Sequence, residues 1–266
     1  MKQRTITAII AMGIFIPIVI IGQMPLIVLT YLIATIGLFE LLKMRKLKLA
    51  SIPGLISVAL LWIFLIPENY TGIIGDLGYS KIQLALLAVL LFLTYTVVTK
   101  NRFTFDDVAF SVMAILYVGI GFYYLIETRD VGGVEYVFYA LITVWATDSG
   151  AYIIGRSMGK RKLWPEISPK KTIEGFVGGV VCALLVGLLF WLFGSDISNL
   201  PLLKVLIVTV VLSFFGQIGD LVESALKRHY DVKDSGQLLP GHGGILDRFD
   251  SLLFVIPLLH FFNVIQ

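Results

Sequence analysis

In the run FFGQIGDLVESALKRHY, Asp220, Glu223, Ser224 and Lys227 fall at i, i+3, i+4 and i+7. On a helix they would form one polar stripe. Asp247, Asp250 and Ser251 repeat the spacing at i, i+3 and i+4, if residues 247–251 open a helix. Asp148 stands in WATDSGAYIIGR, within another apolar run. Several carboxylates with no His or Cys cluster make a hard-oxygen site. Such a site suits Mg2+, which takes one or two carboxylates and completes its shell from water and phosphate oxygens. His229, His242 and His260 are too scattered for zinc.

The bland alternative makes these carboxylates structural partners of Lys227, Arg228 and Arg248 at a membrane edge. That reading suits Glu40, isolated near the end of an apolar run, and Glu223, four residues before Lys227. It is weaker for Asp220, Asp247 and Asp250 taken together, because a glycine-rich loop adjoins them. In KDSGQLLPGHGGILDRFDS (233–251), Gly241, Gly243 and Gly244 let the backbone reach φ > 0 and approach a ligand closely. Their N–H groups can face phosphate oxygens.

The basic complement lies in GRSMGKRKLWPEISPKKTIEGFVGG. Thr172 precedes an apolar run as a helix N-cap would, without the residue that would make a capping box. A helix N-terminus beside Lys170 and Lys171 is an anion site. Lys160, Arg161 and Lys162 read as topology signals instead. GRSMGK lacks the spacing of a P-loop. Gly175 and Gly179 are spaced for close helix packing. Carboxylates for a cation, a backbone phosphate cradle and cationic side chains together point to phosphoryl or nucleotidyl transfer.

The elements that must hold these groups are apolar. Only 15% of the 266 residues are charged and 58% are hydrophobic, with a mean hydropathy of +0.91; soluble chains carry about 25% charge. Nine apolar runs approach the roughly 17–25 residues that cross a bilayer as helix: about 5–22, 25–42, 52–67, 82–99, 107–126, 134–154, 174–194, 201–226 and 251–265. They lack the alternation of barrel strands. The expectation is an all-α, polytopic integral membrane protein whose first run is a retained signal-anchor. Cys182, alone in an apolar run, is a packing residue.

With the N-terminus inside and nine spans alternating, eighteen of the 21 Lys and Arg fall in cytoplasmic segments. Only Lys81, Arg129 and Lys204 fall outside. This bias predicts N-in, C-out, and makes the formal charge of +3 a property of one membrane face rather than a sign of nucleic-acid binding. Residues 1–130 would supply about five spans. Residues 131–266 would be the catalytic region, with cytoplasmic loops 155–173 and 227–250.

The run SALKRHYDVKDSGQLLPGHGGILDRFDS (224–251) closely resembles the signature of the phosphatidate cytidylyltransferase (CDP-diacylglycerol synthase) family. Ser224, Lys227, Arg228, Lys233, Asp234, Gly236, Pro240, His242, Gly243, Gly244, Asp247, Arg248 and Asp250 fill its positions. The segments 147–179 and GDLVES are similar to the family as well. The resemblance implies the reaction of CTP with phosphatidate to CDP-diacylglycerol and pyrophosphate, at the cytoplasmic face, by a Mg2+-dependent homodimer. It maps the metal-binding acids onto Asp220 and Asp247, with Asp148 a further candidate and room for a second cation. Lys170, Lys171, Lys227, Arg228 and Arg248 would hold phosphates. His242 would act on a leaving phosphate or stabilise the turn. A cation or proton transporter and a CTP-dependent lipid kinase are the rival expectations.

Overall fold

The computed structural model describes residues 2–76, 78–238, 241 and 243–265, with side chains from residue 6 onward other than those of 73 and 74. Its helices are α1 (Lys2–Ile21), α2 (Gln23–Met44), α3 (Ile52–Phe64), the four-residue α4 (Gly72–Gly75), α5 (Lys81–Val98), α6 (Phe105–Glu127), α7 (Val134–Met158), α8 (Ile173–Phe193), α9 (Leu202–His229) and α10 (Leu246–Phe261). Each of the nine apolar runs falls on one of the nine long helices among the described residues. By length and composition α2, α5, α7, α8, α9 and α6 with its continuation to Gly132 can cross a membrane. Ile6–Ile21 and α3 are shorter apolar helices, and α10 has 16 residues. Ile82 and Phe193 are each 81% exposed, which suits a hydrocarbon surround, where no water must be ordered around them.

Local chemistry sets where these helices begin. Ser51 accepts from Gly54 N ahead of α3, with Pro53 in its first turn. Ser80 with Gln83 and Thr104 with Asp107 form reciprocal capping boxes at α5 and α6. Thr172 caps α8 through Gly175 N at 3.1 Å, as its position before an apolar run predicts. Between α1 and α2 the chain turns at Gly22 with φ 71, against which the Arg129 guanidinium packs.

Two connections differ from the expected loops, because helical hydrogen bonding continues past the end of the apolar sequence. α7 runs on to Met158 and α9 to His229, carrying Lys227 and Arg228 on its last turn. The segment 155–173 therefore shrinks to an antiparallel hairpin of β1 (Lys162–Trp164) and β2 (Ser168–Thr172). These are the only strands among the described residues, a small exception to an all-α chain.

Glycines determine how α7 and α8 meet. A Cβ on Gly179 would lie 2.8 Å from the Thr147 carbonyl, and one on Gly175 would lie 2.6 Å from that of Ala151. The two glycines thus provide the close packing their spacing suggests. Cys182 packs against Gly150 in the same seam. The other centre of packing joins α2, α6 and α10. Here Leu38, Phe122 and Leu246 are fully buried, and Leu246 sits over Gly37.

The bundle has two chemically distinct ends. At one, Arg45 after α2 pairs with Asp107 of α6 at 2.8 Å, and the hairpin and the described residues of the 230–245 connection gather. At the other lie Lys81, Arg129 and Lys204. Lys81 donates to Phe64 O and Ile66 O, Arg129 to Val19 O and Ile20 O, and Lys204 to Asn263 O. Each cation thereby satisfies carbonyls at or just beyond the C-terminus of a different helix.

Candidate active site

Polar side chains collect along the last turns of α9. Gln217 donates to Phe176 O on α8 at 3.2 Å. One turn on, Asp220 accepts from Ser224 Oγ at 3.3 Å through Oδ1, and its Oδ2 pairs with Lys171 Nζ at 2.7 Å. Two turns beyond Asp220, Lys227 bridges Glu223 on its own helix and Asp247 Oδ1 on α10, the latter at 2.6 Å. The polar stripe expected from the spacing is therefore continuous and reaches two neighbouring elements. The i+4 partnership of Glu223 with Lys227 is present as well.

The hairpin delivers Lys171. Lys171 reaches Asp220 and the Gln217 carbonyl on α9, while Lys170 is exposed. Three contacts hold the hairpin. Arg228 Nε donates to Ile167 O at 3.4 Å, Ile173 N donates to Arg161 O at 2.9 Å, and the Glu174 carboxylate accepts from Lys160 N and Arg161 N. Arg228 thus lies against the hairpin backbone in this arrangement.

α10 crosses α9 closely at Gly219, where a Cβ would lie 2.7 Å from the Asp250 carbonyl. The crossing brings Asp250 into the electrostatic field of Asp220, Asp148 and Lys227. Asp148, exposed on α7, shares its field with Asp220, Lys171 and Arg248. Asp148, Asp220 and Asp250 therefore influence one another electrostatically, and Lys171, Lys227 and Arg248 act on them. Asp247 is placed differently. Its side chain is 5% exposed, and its Oδ2 accepts from Ser235 N, Ser235 Oγ and Gly244 N, each at 2.8 Å.

In the loop before α10 two of the three glycines take the positive φ expected, 78 at Gly241 and 81 at Gly243, while Gly244 does not. The Gly244 N–H points to Asp247 in this arrangement, while Lys233 and Asp234 are exposed. His242, with Leu239 and Pro240, lies outside the described residues.

Sequence reasoning assigned no site role to Ser235 or Glu40. Ser235 sits inside the signature, at a position the signature leaves open. Glu40, isolated near the end of an apolar run, reads from the sequence as a structural group. Lys43 lies over the Phe39 ring at 5.9 Å, and the Glu40 carboxylate points into the signature loop. The usable signal was a buried carboxylate with no local partner, which must find donors elsewhere.

The donor set is one of hard oxygens, which fits Mg2+. Asp220 and Asp148 present the more open carboxylates; Asp247 presents Oδ1, shared with Lys227. Among the described residues no three such side chains enclose a cation by themselves.

Fold and site together define a multi-pass helical membrane protein with carboxylate–lysine pairs gathered at one end, a class equipped to handle polyphosphate beside lipid. The model of the Cytidylyltransferase family matches residues 2–265, and the chain belongs to that family. A protein of Bacillus subtilis (strain 168) named phosphatidate cytidylyltransferase is 56% identical over 263 residues, covering 98% of this chain and 97% of its own. Proteins of the same name from Staphylococcus saprophyticus and Staphylococcus haemolyticus are 53% and 55% identical, each covering 98% of both chains. The transporter and kinase readings gain no support from these relatives.

Proposed function

We propose that this chain transfers the cytidylyl group of CTP to phosphatidate, giving CDP-diacylglycerol and pyrophosphate. The observation that carries the reading is the pairing of Lys171 with Asp220 and of Lys227 with Asp247, at one end of a chain matched along 98% of its length by phosphatidate cytidylyltransferases. A phosphate oxygen of phosphatidate attacks the α-phosphorus of CTP. The bond from that phosphorus to the bridging oxygen breaks, and the electron pair leaves with pyrophosphate. The nucleophile is already an anion at neutral pH, so no strong general base is needed.

Charge and position are then what the protein must supply. Lys171, Lys227 and Arg248 act electrostatically on the acids and would carry phosphate oxygens, the arginine with a bidentate grip. Asp220 and Asp148, with Asp247 through Oδ1, would hold Mg2+ and leave room for a second cation. Bound there, Mg2+ would neutralise phosphate charge during the transfer. The acyl chains can stay in the bilayer because the site is built on membrane helices. The same reading puts the hairpin and the 230–245 connection on the cytoplasmic face, the orientation that keeps most Lys and Arg inside. It includes a homodimer, on the strength of the family resemblance.

The test is incubation of the purified protein with phosphatidate vesicles, Mg2+ and α-32P-labelled CTP. Label in the extracted lipid with matching pyrophosphate release is the expected result. CDP and a phosphorylated lipid as products would indicate a kinase instead. Within this reading, Lys171→Met should raise KM for CTP or lower kcat by roughly ten- to a hundredfold, the worth of one charge-assisted hydrogen bond of about 1.5–3 kcal/mol. Unchanged steady-state constants would remove Lys171 from the site.

A further inference from the structure

We infer that Glu40 is a positioning residue, which from the N-terminal half of the chain caps α10 and fixes the orientation of Asp247 through Ser235. The inference rests on the transfer reaction proposed above. Its geometry spans about two hundred residues of sequence. The Glu40 carboxylate, 2% exposed, accepts from Ile245 N at 2.9 Å and Leu246 N at 3.0 Å. Ser235 Oγ stands 3.0 Å from Glu40 Oε2 and 2.8 Å from Asp247 Oδ2, and receives the Asp247 N–H at 3.3 Å.

Three physical points give this contact its role. First, α10 has no side-chain cap of its own: Ile245 precedes it with helical φ −67 and ψ −43. The first N–H groups of a helix need acceptors, and the helix dipole favours an anion there. Glu40 supplies both from another helix.

Second, the surroundings are shaped to admit a carboxylate. A Cβ on Gly236 or Gly244 would overlap Glu40, and Leu246 seats over Gly37 one turn before it. Third, one hydroxyl links the two acids. Ser235 Oγ has a single proton and lies between Glu40 and Asp247, so displacing either carboxylate moves the hydroxyl that the other holds.

Glutamine cannot replace this group. Both glutamate oxygens accept here, and the amide nitrogen of Gln would point a donor at an N–H. Aspartate is one methylene too short to reach all three donors.

The experiment compares wild type, Glu40→Gln, Ser235→Ala and the double variant in the labelled-CTP assay, with constants normalised to folded enzyme. Amide exchange of residues 243–247 is followed in parallel. Glu40→Gln is expected to lower kcat by roughly thirtyfold, with KM for CTP and phosphatidate changed less than about threefold. The double variant should be no worse than about twofold below Glu40→Gln, since both cut one linkage. Exchange at Ile245 and Leu246 should accelerate at least about tenfold.

Unchanged kcat per folded molecule, or losses that multiply in the double variant, would overturn the inference. Should Glu40→Gln fail to fold, Ser235→Ala decides alone. It leaves both Glu40–backbone bonds in place, so a wild-type kcat would refute the link to Asp247 and a tenfold loss would support it. An inactive wild type would refute the proposed reaction instead, so the two failures are distinguishable.

Discussion

Asp220→Asn is expected to lower cytidylyl transfer by about a thousandfold while leaving the fold as stable as wild type. The two halves of this expectation have separate causes. Asp220 and Lys171 are 34% and 25% exposed in their side chains. A pair so open to solvent contributes at most about 1 kcal/mol, and Asn keeps an oxygen for Ser224. The charge, however, acts on both Asp148 and Asp250. Losing one preorganised electrostatic group from such a site commonly costs about two to three powers of ten. The measurement is label incorporation into lipid beside thermal unfolding in detergent. Activity within tenfold of wild type would remove Asp220 from the cation site.

Asp247→Asn is expected to damage both properties. Its carboxylate is nearly buried and accepts four hydrogen bonds, from Ser235 N, Ser235 Oγ, Gly244 N and Lys227 Nζ. An amide nitrogen in place of either oxygen would face a donor. Lys227, 16% exposed, would keep only Glu223 as a partner. Breaking a buried pair on one side costs about 3–5 kcal/mol, so the unfolding temperature should fall measurably. Transfer should drop by at least about a hundredfold, because Ser235 and Gly244 lose the group that both of them bond. A variant inactive but as stable as wild type would mean that Asp247 serves the reaction alone. One stable and active would remove it from both roles.

Why one aspartate should separate chemistry from stability and the other should not could not be read from the sequence. Spacing placed Asp220 and Lys227 on one stripe, because a helix repeats every 3.6 residues. The same periodicity says nothing about what crosses that stripe. The long helices were legible for a related reason: hydrocarbon requires continuous apolarity, which is visible one residue at a time. Their polar extensions were not legible, since Met158 and His229 end helices well past the apolar runs. Thr172 was readable as a cap because the run after it is so apolar. The hairpin 162–172, with two prolines and scattered lysines, carried no alternating pattern to announce it. Glu40 was the hardest case. Its partners lie 195 to 206 residues away, and no local rule reaches so far. Ser235 was inside the signature, yet its role depends on Glu40 and was invisible with it.

Lys81, Arg129 and Lys204 have a consequence for motion. Each is anchored to carbonyls of a helix other than its own, at α3, α1 and α10. Sliding any of those helices along its axis by one turn, about 5.4 Å, would strip a cation from its carbonyls at that end. The three contacts act as rivets. They pin the ends of α3, α1 and α10 to neighbouring helices, so axial sliding of those three helices is opposed at that end of the bundle.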